Sequence, residues 1–126
     1  YVRKIIEAVQ TDDFALVYHN CGDNVPLMKD GIYTLGAMGY HFGDAINLKD
    51  MFPGAPADVL VMGNVSPSAE FCNGTPDSIR EATHTVMAQC GSYPNFLISS
   101  GCDIPPMSPW ENILAFFDGV NSYYAG

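Results

Sequence analysis

Apolar positions along the chain switch between two spacings. Val2, Ile5, Ile6 and Val9 recur at helical intervals, Thr11-Asp12-Asp13 interrupts, and Phe14-Ala15-Leu16-Val17-Tyr18 is a continuous apolar run: helix, turn, buried strand. Met28, Ile32 and Leu35 mark a second helical face, closed by Gly36 to Gly39 before a short strand at Tyr40-His41-Phe42. Leu48, Met51 and Phe52 fit a turn or two of helix stopped by Pro53-Gly54-Ala55-Pro56. Val59-Leu60-Val61-Met62 is then a third buried strand, which Gly63-Asn64 ends. Thr75-Pro76 is a good N-cap and first-turn pair for a helix whose face is Ile79, Ala82, Val86 and Cys90, with Gly91 as its stop. Phe96-Leu97-Ile98-Ser99 is the fourth strand. Ser108-Pro109-Trp110-Glu111 predicts a capping box at the start of a last helix, which buries Ile113, Phe116, Phe117, Val120 and Tyr124.

Short apolar strands separated by amphipathic helices predict a parallel sheet under a helical layer, because a parallel pair needs a long crossover. The class is α/β, and four strand-helix units make about half of an eight-stranded (β/α)8 barrel, whose usual length is about 250 residues. The chain's 126 residues, 48% apolar and 12% aromatic, allow one core and one domain over 1–126. It opens on Tyr1 rather than Met, in what reads as the middle of a helical protein, so a fragment of something longer is expected. A half barrel has two open sheet edges, so self-association is expected as well.

Five Lys and Arg against fourteen Asp and Glu give a net charge of -9, which disfavours nucleic acid and anionic membrane surfaces as partners. No apolar run reaches the roughly 18 residues of a spanning helix, and no signal-peptide pattern is visible, so a soluble, cytoplasmic chain is expected. The four cysteines, at 21, 72, 90 and 102, lack the dense pairing of a secreted disulfide scaffold. Reduced thiols or metal ligands are the better expectation.

Polar and metal-competent residues gather after the strands: His19-Asn20-Cys21, then His41 and Asp44, then Asn64, then Cys102. Parallel α/β folds place their active sites at the carboxyl ends of strands. His19 and Cys21 are two apart, so in an extended chain both side chains project to one side and can close on one ion. With Cys102 as third ligand, two thiolates and an imidazole suit Zn2+ and leave one tetrahedral position free.

His-x-Cys in Tyr18-His19-Asn20-Cys21-Gly22-Asp23, followed by Ser100-Gly101-Cys102-Asp103-Ile104-Pro105, resembles the methylcobamide:coenzyme M methyltransferases of the uroporphyrinogen decarboxylase superfamily. Gly63-Asn64-Val65-Ser66-Pro67, Asn73-Gly74-Thr75-Pro76 and Pro109-Trp110-Glu111-Asn112-Ile113 resemble connecting segments of the same superfamily, and the similarity runs over roughly residues 14 to 117. The resemblance implies the C-terminal part of a TIM barrel in which zinc binds a small thiol, and the thiolate takes a methyl group from a methylated corrinoid on a separate protein. Metal coordination would deprotonate the thiol at neutral pH. Two cysteine thiolates and a neutral histidine would cancel the charge of the ion. No Asp-x-His-x-x-Gly corrinoid motif occurs, so the corrinoid is expected on a partner protein. A cysteine at the place of Cys102 is not expected in the decarboxylases of the superfamily, which argues against decarboxylation.

Other readings stand beside these. His19, Cys21 and Cys102 could be a packed imidazole and two buried thiols, since free cysteine is among the most buried side chains. Asp44 could orient a ligand or bind substrate, or form an Asx turn or helix cap, and Asn64 has the same two readings. His41 could be a donor to a metal ligand or an ordinary hydrogen-bonded histidine. Cys72 and Cys90 read as structural and His84 as solvated. A metal-free decarboxylase-like enzyme and an inactive fragment are the alternative functions. Geometry sets one requirement: on a flat sheet in sequence order the first and fourth strands lie about 14 Å apart, three spacings of ~4.8 Å, whereas a Zn–S bond is ~2.3 Å. The sheet must curl, or the loops must reach inward.

Overall fold

A computed structural model describes residues 1–126. Helix α1 (Val2–Val9) leads into β1 (Val17–Asn20), α2 (Val25–Tyr33), β2 (Gly39–Phe42) and a 3-10 turn (Leu48–Met51). After them come β3 (Leu60–Val65), a π-helical turn (Pro67–Cys72), α3 (Pro76–Cys90), β4 (Phe96–Ser100) and α4 (Trp110–Ala125). The four strands form one sheet in the order β1-β2-β3-β4, every pair parallel, as the crossover argument requires. No helix is long and apolar enough to cross a membrane.

Alternation along the strands separates two faces. Tyr40, Phe42 and Val61 lie fully buried on the helix-covered face with Val25, Leu48 and Met51. Burial of each large side chain there stabilises the fold by about 1.5–3 kcal/mol. Their polar tips are satisfied: the Tyr33 hydroxyl donates to the Met51 carbonyl at 2.6 Å, and the Tyr40 hydroxyl accepts from Ala37 N–H at 3.1 Å. A second apolar cluster, Val65, Phe71, Ile79, Ala115 and Phe116, joins the end of β3 to α3 and α4. Asn112 pins this region, its buried amide donating to the carbonyls of Gly74 at 2.9 Å and Phe71 at 3.2 Å.

Four local expectations change. The first strand starts at Val17 rather than Phe14, because Thr11 and Phe14 exchange backbone hydrogen bonds in a tight turn and Gln10 Oε1 accepts from Leu16 N–H. β3 continues through Gly63 and Asn64 to Val65, because β4 runs alongside that far, pairing Asn64 with Ser99 and Val65 with Ser100. α4 begins at Trp110, but the capping box does not form: Pro109 occupies the cap position, and the Ser108 hydroxyl is buried without a partner. The box forms on α3 instead, where Thr75 and Ser78 each accept from the other's backbone N–H. Finally, His84 is exposed yet not free, its Nε2 lying 2.9 Å from the Gly119 carbonyl and 2.8 Å from the Ser122 hydroxyl.

Candidate metal centre

His19 sits near the end of β1, and Asn20 turns the chain immediately after it. The Asn20 side-chain oxygen accepts from Gly22 N–H at 3.0 Å, an Asx turn that brings Cys21 round beside His19. Cys21 also packs on the backbone after β2. A Cβ on Gly43 would stand 2.7 Å from both Cys21 Cα and Cβ, so a side chain at position 43 would displace the cysteine. At the far end of the sheet the Ser100 hydroxyl donates to the Cys102 carbonyl at 2.8 Å, bending the chain inward after β4. Here too a glycine permits close approach: a Cβ on Gly101 would lie 2.7 Å from the Asp44 backbone nitrogen.

These turns satisfy the geometric requirement. Cys102 Sγ lies 3.6 Å from His19 Nε2, and the ligand atoms of His19, Cys21 and Cys102 all lie within 4.8 Å of one another. Sulfurs ~2.3 Å from a tetrahedral ion are about 3.8 Å apart, so the widest possible pair here would need to close by only about 1 Å. His19 and Cys21 are exposed and Cys102 half-buried. The donor chemistry and spacing both fit a zinc ion. The other two cysteines stay away from this group: Cys72 lies in the π-helical turn, and Cys90 is fully buried, its thiol pushed up to about 11 by burial.

His41, in register with His19 on β2, does not project into empty space. Its ring nitrogens meet His19 Nδ1 at 2.8 Å, the Ser100 carbonyl at 2.7 Å and the Ser99 hydroxyl at 3.0 Å, so one imidazole links the first, second and fourth strands. Burial holds its pKa below the usual histidine value, partly offset by the Ser100 carbonyl. The open face around this group is a cleft of about 650 Å3, lined by Val17, His19, His41, Met62, Ser99 and Cys102 among others.

Asp44 and Asn64 line a neighbouring cleft of about 330 Å3 with Glu70, whereas His19 and Cys102 line the larger one. Asp44 is exposed. Asn64 is buried, and its amide donates to the carbonyls of Gly43 at 3.1 Å and Ile46 at 2.8 Å, which ties β3 to the loop carrying Asp44. Sequence reasoning missed the links from His41 to Ser99 and Ser100. The repeated Tyr-His pair at Tyr18-His19 and Tyr40-His41, on adjacent strands in register, is the signal that could have exposed them.

Comparison with known proteins places the fold. A family model described as uroporphyrinogen decarboxylase (URO-D) matches residues 1–123. The chain belongs to the uroporphyrinogen decarboxylase family. Among curated members, it is 27% identical over 123 residues to the methylcobamide:CoM methyltransferase MtbA of Methanosarcina acetivorans, and 26% identical over 127 residues to that of Methanosarcina mazei. Each alignment takes in 98% of this chain and 34% of the relative, so the chain spans about a third of the length of the curated relatives it matches. A solved methyltransferase from Methanosarcina mazei superposes with a TM-score of 0.81 at 22% identity, over 98% of this chain and 34% of that one. The sheet is therefore a stretch of the TIM barrel that the strand-helix alternation predicts.

Proposed function

We propose that this segment carries the metal-binding wall of a cytoplasmic, zinc-dependent methyltransferase that moves a methyl group from a methylated corrinoid protein to a small thiol such as coenzyme M. The supporting observation is the convergence of His19, Cys21 and Cys102, from opposite edges of the sheet, to within 4.8 Å. The names of the curated relatives point to the same chemistry. In the overall reaction a sulfur–methyl bond forms as the methyl–cobalt bond breaks, the bonding pair stays with the corrinoid, and the thiol proton is released. A zinc ion held by the three residues would supply the positive charge that keeps the substrate sulfur deprotonated at neutral pH.

The chain's own residues do the rest. With a divalent cation bound, Cys21 and Cys102 as thiolates and His19 as a neutral imidazole would balance its charge, so a substrate sulfur would keep its electron density. Val17, Met62 and Ile104 give the cleft apolar walls suited to the carbon chain of a small thiol. Asp44 is proposed to contact substrate from the adjoining cleft, with Asn64 holding its loop in place. The segment is proposed to act as one unit over 1–126. The free edges of β1 and β4 are proposed to pair with further strands of the barrel or, in the isolated chain, with another copy.

The test is zinc per chain, by elemental analysis of protein purified without chelators, for the native chain and for Cys102→Ser. Near-stoichiometric zinc in the native chain, with affinity lowered more than about 100-fold in the variant, is expected, since losing a ligand exceeds the 10–100-fold cost of losing a supporting partner. A folded native chain that takes up no zinc would overturn this reading and favour the metal-free chemistry of the decarboxylases for which the family is named.

A further inference from the structure

The contacts around His41 use more of the imidazole than a packing residue needs, and they lead to a specific atom of His19. The Ser100 carbonyl, 2.7 Å from His41 Nε2, can only accept, so that nitrogen carries a hydrogen. The Ser99 hydroxyl agrees: its own hydrogen is directed to the Ser100 carbonyl at 2.9 Å, leaving a lone pair toward His41 Nε2. At the other end of the chain of contacts, His19 Nδ1 lies 3.2 Å from the His41 carbonyl, a second acceptor-only group. His19 Nδ1 therefore also carries a hydrogen. The two Nδ1 atoms are 2.8 Å apart, a separation with room for one hydrogen between them. That hydrogen is the one on His19 Nδ1, shared between the His41 carbonyl and His41 Nδ1, which both accept it.

We infer that His41 is a positioning residue, anchored by Ser99 and Ser100, that locks His19 in the Nδ1–H tautomer and so leaves Nε2 as the lone pair offered to the metal. The inference rests on the zinc reading for its purpose. Its geometry is independent: His19 Nε2 is the ring atom 3.6 Å from Cys102 Sγ, and a thiol S–H there has a lone pair to meet. A metal-bound histidine needs its second ring nitrogen fixed by a partner, and loss of such partners costs 10–100-fold in affinity. Here the partner is another histidine, reaching across the sheet to the strand that leads into Cys102. One hydrogen-bond chain thus couples the orientation of the first ligand to the position of the last.

Two measurements test this. In the metal-free native chain, long-range 15N–1H NMR correlations of the histidine rings are expected to show His19 with its hydrogen on Nδ1. In His41→Phe, which keeps a ring but removes both nitrogens, a mixture with the Nε2–H form is expected, with zinc affinity 10–100-fold lower. His41→Asn, whose side-chain oxygen can replace the lost acceptor, is expected to restore most of both. A native His19 in the Nε2–H form overturns the inference, as does a folded His41→Phe with unchanged tautomer and unchanged affinity. Should His41→Phe not fold, the native spectrum and His41→Asn decide. The tautomer is read without metal, so a native chain that takes up no zinc refutes the zinc reading while the spectrum still judges the histidine pair.

Discussion

Neighbouring residues on one strand have opposite fates. Tyr40 and Phe42 are fully buried beneath the helices, whereas His41 between them faces the open cleft, and on β1 Tyr18 is half-buried while His19 is exposed. The helix-covered face is aromatic and close-packed, with Tyr33 meeting Tyr40 edge-to-face at 5.0 Å and Phe52 stacked on Tyr93 at 4.0 Å. The open face holds imidazoles, hydroxyls and thiols around partly exposed Val17 and Leu97. A two-residue period thus lets one short strand supply stability and chemistry without either compromising the other.

If that division holds, substitutions on the two faces have unequal costs. Phe42→Ala on the covered face is expected to lower unfolding free energy by about 3–5 kcal/mol, and Leu97→Ala on the open face by less than about 1 kcal/mol, in urea titrations of the two variants. Equal losses would break the comparison. The cysteines offer a chemical version. Burial pushes the Cys90 thiol up to about 11, so its thiolate is about 100-fold scarcer than that of a thiol at the ordinary value near 9.0, before any steric protection. In metal-free protein at pH 8, Cys21 is expected to react with a thiol reagent at least about 100-fold faster than Cys90; comparable rates would mean that the covered face opens readily.

The same shift has a sign. Cys90 is protonated in the fold at pH values where the unfolded chain ionises, so its contribution is complete below about pH 9 and is lost as pH rises toward about 11. Tyr33, also held up by burial, acts in the same direction. A smaller effect sharpens the comparison at the edge of the covered side. Asn112→Ala would leave the Gly74 and Phe71 carbonyls unpaired, a loss of about 1–3 kcal/mol by thermal melting with zinc uptake unaltered.

The division into strands and helices was legible because it depends on short-range periodicity, and the loops that collect His19, Cys21 and Cys102 followed from the strand ends. What escaped depends on contacts that spacing does not encode. Phe14 looks like strand in any window, but its backbone is already paired with Thr11. Ser108 has the right neighbours for a cap, yet Pro109 takes that position and the hydroxyl is buried without a partner. The π-helical turn at Pro67–Cys72 is too short to show a period, and it is fastened by Asn112 from a helix some forty residues on. Asp44 and Asn64 share the carboxyl-end side of the sheet with His19 and Cys102, but adjacent strand ends here open into two clefts, which spacing along the chain does not show. His41 was legible only as a residue with two readings, since its partners lie 22 and 59 positions away.

Each strand pairs only with its neighbours in sequence, Val17 opposite Gly39, Gly39 opposite Leu60 and Val61 opposite Phe96, so the sheet can grow in the order in which the chain is synthesised. The approach of Cys102 to His19 is of another kind, joining residues 83 positions apart. It cannot form until β4 has joined the sheet. A probe that reports the convergence of the three donors therefore reads out the union of all four strands, while partly grown sheets, however well ordered, remain silent.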